Sequence, residues 1–183
     1  GVDPLIVVIG GSQGAVGLNY MFREVAPWLL KQGCRIVHIT GSNDEPSMIE
    51  DPRFVERNFI DDISPLLKNA DLVISRAGAG TLSELAVCNC PAILIPYPYA
   101  ADNHQEFNAL YAAQFGAAVL IHQSKSCTIG FRKILKMLLD SHSSSSRNSQ
   151  SDDLITNMRK GMDQIAIRDA HLNLVDIIKK YTS

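Results

Sequence analysis

Short apolar runs rich in Val and Ile recur along the chain, separated by longer stretches with helical spacing. A strand with one wet face alternates apolar and polar residues, whereas a strand covered on both faces does not. The runs fall at Leu5–Gly10, Cys34–Ile39, Phe54–Asn58, Asp71–Ser75, Ala92–Ile95 and Ala117–Ile121, and several lack polar alternation. Helical patterns lie between them at about 14–32, 61–69, 80–88, 103–115 and 129–140. This order predicts an α/β fold, a doubly wound parallel sheet with right-handed crossovers. The polar run Ser141–Ser151 reads as a mobile surface loop. Two further helical stretches follow near 152–160 and 161–181, and Leu172, Val175, Ile177 and Ile178 are placed to dock the last one. The 183 residues suffice for one domain with a sizeable core.

Composition narrows the function. Apolar residues make up 46% and charged residues 20%, with a formal net charge of −2. That balance argues against a broad nucleic-acid surface. No apolar stretch approaches the roughly 20 residues that span a bilayer, and no basic-then-apolar leader opens the sequence. Cys88 and Cys90 flank one residue, which is not a zinc spacing, and with Cys34 and Cys127 they read as reduced thiols of a cytoplasmic protein. There is no D-x-D, H-x-x-x-H or paired Cys-x-x-Cys, so no metal and no cofactor is expected.

In an open parallel sheet, ligands bind outside the carboxyl ends of the strands. Four segments follow expected strands on that rim. Gly10–Ala15, "GGSQGA", turns from a strand into a helix, whose N-terminus offers unpaired N–H groups to an anion. The same residues fit G-x-S-x-G, the elbow of a nucleophilic serine. That elbow needs an oxyanion donor from an earlier strand–helix loop, and only a few residues precede the first run here. Ser12 is therefore expected to donate a hydrogen bond and not to be acylated. A dinucleotide reading is weak, because the spacing is not G-x-G-x-x-G and "HIT" ends the second run without an acid.

The second segment, "SRAGAGTLSE" at 75–84, is another strand–helix turn, with Thr81 or Ser83 as helix cap and Glu84 one turn in, able to accept from a ribose diol. In the third, "PYPYAADNHQEFNA" at 96–109, Asp102 or Asn103 is the expected cap. His104, Gln105 and Asn108 then supply groups that suit sugar hydroxyls. The fourth is Phe59–Ile63.

Together, "GGSQGA" at 10–15, "HITG" at 38–41, "FIDD" at 59–62, "ADLVISRAGAGTLSE" at 70–84 and "PAILIPYPYAADNHQEFNA" at 91–109 resemble the MurG family of bacterial UDP-N-acetylglucosamine transferases acting on lipid I. The resemblance spans most of residues 5–122 and continues in "IRDAHLNLVDII", similar to that family's closing helix. It implies a Rossmann-like domain forming the donor-binding, C-terminal half of a GT-B glycosyltransferase, with the acceptor half and its membrane surface outside this sequence. Residues 1–183 would be one UDP-GlcNAc-binding domain.

By this resemblance Gly11, Ser12, Gln13 and Gly14 lie at the diphosphate. Phe59, Ile60 and Ile63 border the uracil, whose polar edge the Ile60 backbone reads. Ala79, Gly80, Thr81, Leu82 and Ser83 run along the nucleotide, and Glu84 holds the ribose. His104 and Gln105 face the GlcNAc hydroxyls, supported by Asn108. The implied chemistry is inverting GlcNAc transfer to lipid I, with UDP leaving, in peptidoglycan synthesis at the cytoplasmic face of the plasma membrane. No catalytic base is expected on this chain, and membrane contact is expected only through the other half. Val16 and Gly17 stand where many relatives carry Arg or Lys, and Asn89 takes a common glycine position, which Asn's tolerance of left-handed backbone permits. Two other readings share these residues: a stand-alone donor subunit of a dolichol-type GlcNAc transferase, and a non-catalytic sugar-nucleotide-binding module.

Overall fold

The computed structural model describes residues 3–11, 16–123, 128–144 and 153–166. Six strands form one sheet: β1 (Leu5–Ile9), β2 (Arg35–Ile39), β3 (Phe54–Arg57), β4 (Leu72–Ser75), β5 (Ala92–Leu94) and β6 (Ala118–Leu120). Every pairing is parallel, and the spatial order is β3-β2-β1-β4-β5-β6. The helices are α1 (Val16–Lys31), α2 (Ser64–Asn69), α3 (Ala79–Val87), α4 (His104–Gln114, preceded by a 3-10 turn at Ala101–Asn103), α5 (Thr128–Ser144) and α6 (Leu154–Ile165). The expected α/β architecture is therefore present. Ser141–Ser144, expected in a loop, extend α5, and the Ser141 hydroxyl bonds the Leu138 carbonyl at 2.9 Å. The expected closing helix, with Leu172, Val175, Ile177 and Ile178, lies outside the described residues.

Unbroken apolar strands arise because both sheet faces are covered. Ile6, Val8, Ile36 and Ile74 point into one core with Phe22 and Leu29 of α1 and Phe131 and Leu135 of α5. Val7, Val73, Ala92 and Leu94 point into the other with Leu85 of α3, Ala109 and Ala112 of α4 and Met162 of α6. Each fully buried Leu, Ile or Phe adds roughly 1.5–3 kcal/mol of hydrophobic driving force, so the sheet is anchored from both sides. Small residues dominate the second core, which lets α4 lie close to β6.

At the end of α3 the Asn89 N–H donates to Ala86 O and the Cys90 N–H to Leu85 O, with Asn89 at φ 55°. This is a Schellman turn with Asn in the usual glycine place, and the left-handed backbone at Asn89 is the conformation that the residue type was expected to tolerate. α6 is capped by Asp153, which accepts from the Ile155 N–H at 3.0 Å, and Arg159 ties it down by donating to Asn89 O and Ala70 O. These ties fasten the amino-terminal side of the sheet. They leave the carboxyl rim to the ligand loops.

Candidate functional site

The chain runs outward from β1 to β2 and β3, then crosses back to β4 beside β1. Between β1 and β4 the winding reverses, and a crevice opens at their carboxyl ends. The turn leaving β1 is closed below and open above. The Gly10 N–H donates to Ile39 O at 2.8 Å, and a Cβ on Gly10 would lie 2.9 Å from both Asn19 Oδ1 and Thr40 O. Only glycine fits there. Gly11 is exposed at φ +85°, and a Cβ on it would meet nothing within 4 Å. Ser12, Gln13 and Gly14 lie outside the described residues; α1 is described from Val16, which is 55% exposed.

Across the crevice, β4 leads into α3. Its N-cap is Gly78 (φ −66°, ψ 147°), which has no side chain to bond the helix N–H groups. Neither Thr81 nor Ser83 caps the helix: the Ser83 hydroxyl turns back to Ala79 O at 3.0 Å. The first N–H groups of α3, at Ala79, Gly80 and Thr81, are left without a side-chain cap, beside the end of β1. Leu82 is half-buried, and Ser83 and Glu84 are exposed.

The third loop leaves β5. Asp102 (φ 51°) and Asn103 (φ 53°) are both left-handed, and Asn103 sits at the N-cap of α4 without a side-chain cap bond, so the expected capping by either is absent. Gln105 Oε1 accepts from the Tyr97 N–H at 3.0 Å, and Asn108 Nδ2 donates to Ala77 O at 2.9 Å. Asn108 thus ties α4 to the loop that starts α3, and Gln105 ties it to its own loop. His104 is exposed on the same first turn.

Arg76 organises these loops, and sequence reasoning gave it no role. Its guanidinium donates to Ile95 O (3.0 Å), Pro96 O (3.2 Å) and Gln123 Oε1, and it lies 5.5 Å over the Tyr97 ring. Burial pulls it down to about 10, which leaves it cationic at neutral pH. The signal available in the sequence was a lone cation directly after the buried run Leu72–Ser75.

Two strands away from β1, the loop after β3 forms a shallow cavity of about 590 Å³ lined by Val37, Val55, Phe59, Ile60, Pro65 and Leu66, among others. Phe59 is 66% exposed. Ile63 does not line this cavity: its side chain packs against the second core and its carbonyl receives the first N–H bonds of α2. From β3 to β5 the rim covers four strand spacings, about 19 Å, so its loops can grip successive parts of one extended ligand.

Under the crevice lies a polar network. Asn19 Nδ2 donates to Thr40 O (2.9 Å) and Asp44 Oδ2 (2.8 Å), and Asn19 Oδ1 meets His38 Nε2 at 3.0 Å. His38 Nδ1 faces Glu56 Oε1 at 3.1 Å. Arg23 pairs with Asp44 (3.0 Å) and Glu56 (2.9 Å). Burial works against charge on Glu56, but the Ser47 N–H and the Arg23 guanidinium outweigh it and hold the carboxyl below its ordinary range. Among the described residues no group of three His, Cys, Asp or Glu side chains is placed to hold a metal ion.

Residues 5–165 match the family described as glycosyltransferase family 28 C-terminal domain. The chain is 55% identical over 181 residues to a UDP-N-acetylglucosamine--N-acetylmuramyl-(pentapeptide) pyrophosphoryl-undecaprenol N-acetylglucosamine transferase of Prochlorococcus marinus, covering 99% of this chain and 50% of that protein. It is 58% identical over 180 residues to the protein of the same description from a second strain of that organism, covering 98% and 50%. Among solved structures, MurG of Acinetobacter baumannii superposes with a TM-score of 0.74 at 30% identity, over 97% of this chain and 50% of that one. The chain therefore spans about half the length of the curated relatives it matches.

Proposed function

The chain belongs to the glycosyltransferase family 28 C-terminal domain family, and from that premise we propose that residues 1–183 form the UDP-GlcNAc-binding half of an inverting transferase that converts lipid I to lipid II. The observation that carries this reading is the pair of strand–helix turns at the β1/β4 crevice. Gly11 leaves open space above one, and the N-terminus of α3 is uncapped on the other. The uncapped α3 N-terminus, together with the N-terminal end of α1 beyond the Gly10–Gly11 turn, attracts a diphosphate and stabilises the charge that develops on departing UDP. Ser12, Gln13 and Gly14 belong to the same cradle by their place in the sequence.

The remaining groups extend the ligand to both sides. Phe59 and Ile60, at the β3 end, border the uracil, with Ile63 behind them stabilising the start of α2. Ala79 to Ser83 follow the nucleotide, and the exposed Glu84 carboxylate accepts from the ribose hydroxyls. His104 and Gln105 face GlcNAc. Because Gln105 Oε1 is engaged by the Tyr97 N–H, its amide Nε2 is the group offered to a sugar oxygen. Asn108 holds the two loops together. The chain orients the donor, while the general base that activates the lipid I hydroxyl belongs to the other half, so this half alone binds without turnover. No helix among the described residues is long and apolar enough to cross a membrane; contact with the cytoplasmic face of the membrane is assigned to the other half.

Calorimetric titration tests the reading. UDP-GlcNAc and UDP should each bind once and saturably. Absence of saturable binding to the folded chain would overturn it.

A further inference from the structure

The network beneath the crevice contains a donor–acceptor problem with one solution. Asn19 Nδ2 faces only acceptors, Thr40 O and an Asp44 carboxylate oxygen, so the orientation of the amide is fixed. Asn19 Oδ1 is then an acceptor, and His38 Nε2, 3.0 Å away, must carry a proton. On the other side of the ring, Nδ1 faces Glu56 Oε1 at 3.1 Å. That carboxylate already accepts from Arg23 on Oε1 and from the Ser47 N–H on Oε2. A neutral His38 with its proton on Nε2 would point a bare Nδ1 lone pair at this anion and leave Nδ1 buried without a partner. A second proton, on Nδ1, turns this contact, which lies within ion-pair distance but outside hydrogen-bond alignment, from repulsion into attraction.

Charge points the same way. The groups facing the ring are Asn19 and Arg23 from α1, Glu56 from β3 and, through Arg23 and Asn19, Asp44 from the loop after β2. The rings of Phe22 and Phe54 close its edges at 5.2 and 6.3 Å. With a charged His38 the two cations balance the two carboxylates; with a neutral ring one part-buried negative charge remains uncompensated. Burial is the largest single influence on the ring and, with the Arg23 cation, pulls its pKa down, to about 4, against the upward pull of Glu56 and Asp44. The requirement for a donor at each ring nitrogen decides for the charged form, because Glu56 is fixed as an acceptor on both oxygens.

We propose that His38 is a two-proton imidazolium that clamps Asn19 between β2 and Gly10, making His38 a positioning residue for the Gly10–Gly11 turn and the N-terminal end of α1. Asn19 Oδ1 and Thr40 O are the atoms that deny Gly10 a Cβ, so the clamp and the phosphate turn are in direct contact. The positioning part rests on the donor-binding reading above; the protonation part does not.

Two measurements separate them. In protein carrying 15N in its histidine rings, with the His38 signals identified by their loss in His38→Gln, both His38 nitrogens should bear a proton at pH 7. A single-proton pattern at pH 7 overturns the proposal. For positioning, His38→Phe removes the donor to Asn19 while filling the space between Phe22 and Phe54. UDP should bind about fivefold more weakly, the loss expected for one hydrogen bond. His38→Gln, whose amide can again donate to Asn19, should restore affinity to within about twofold. Equal UDP affinity in His38→Phe and the unsubstituted protein overturns the positioning role. If thermal melting shows His38→Phe unfolded, Asn19→Ala replaces it, with the same expected loss and the same refuting equality. Should UDP fail to bind even the unsubstituted protein, the donor reading fails while the ring measurement still decides the protonation.

Discussion

Replacing Gly10 with Ala should disable the crevice from below. The new Cβ would lie 2.9 Å from Thr40 O, 2.9 Å from Asn19 Oδ1 and 3.2 Å from Ile39 O. Two of these three atoms are backbone carbonyls, so no rotamer change makes room. Both carbonyls are also in use: Ile39 O accepts the Gly10 N–H and Thr40 O accepts Asn19 Nδ2. Overpacking of this kind costs about 1–3 kcal/mol, and loss of one of those hydrogen bonds adds about 1 kcal/mol. The sum is about 2–4 kcal/mol. With a urea slope near 2 kcal/mol/M this lowers the unfolding midpoint by about 1–2 M. Gly11→Ala is the control. Its Cβ meets open space, so only the left-handed backbone at φ +85° is penalised, by about 1–2 kcal/mol. Adding Asn19→Ala to Gly10→Ala should not restore stability, because the carbonyls remain. Equilibrium urea denaturation and UDP titration of these variants are the assays. A Gly10→Ala protein within about 0.5 kcal/mol of the parent, binding UDP unchanged, would rule out this steric role for Gly10.

Four further outcomes follow from the structure. Glu84→Ala should weaken UDP and UDP-GlcNAc alike, by about 1.5–3 kcal/mol, whereas Gln105→Ala should weaken UDP-GlcNAc more than UDP; equal losses for Gln105→Ala in calorimetry contradict its place at the sugar. Gly161→Ala should destabilise the fold by about 1–3 kcal/mol, because its Cβ would meet Phe115 O at 2.4 Å and Ala117 N at 2.6 Å, and a melting temperature equal to the parent's would count against this packing of α6. Burial pushes the Cys34 thiol up to about 11 and the Cys90 thiol up to about 12. The unfolded chain gives up these protons near pH 9 while the native chain keeps them, so stability falls as pH rises from about 9 toward 12, by up to ~1.4 kcal/mol per pH unit for each thiol. Cys90→Ala should make that slope shallower in denaturant melts between pH 9 and 11; an unchanged slope rejects the assignment.

The inner strands were legible in the sequence because helices cover both their faces, which removes the polar alternation; β3, at the sheet edge with Val55 and Arg57 exposed, was legible from its place between turn signals. Their ends differ by a residue because Gly10, Ile95 and Ile121 still donate one ladder bond each while the chain already bends into the rim. The caps were not legible. Thr81, Ser83, Asp102 and Asn103 are good capping types, yet the turns before α3 and α4 place a glycine and a left-handed Asn at the N-cap, and neither bonds the helix through a side chain. Ser141–Ser144 resembled linker because serine is polar, but Leu138 and Phe131 on the same helix are buried and carry α5 onward. The rim loops were legible as a set because each follows a strand in a parallel sheet. What joins them was not. Arg76 and Gln123 are 47 residues apart and His38 and Asn19 are 19 apart, so only the topology brings them together.

The proposed function depends above all on one donor spanning the rim with its diphosphate at the β1/β4 crevice. A crystal structure with UDP-GlcNAc bound tests this most directly. The diphosphate is expected between the Gly10–Gly14 turn and the first N–H groups of α3, the uracil against Phe59 and Ile60, Glu84 on the ribose and Gln105 Nε2 on the sugar. A nucleotide sugar bound away from that crevice, or reversed so that its sugar lies at the β3 end, would contradict it.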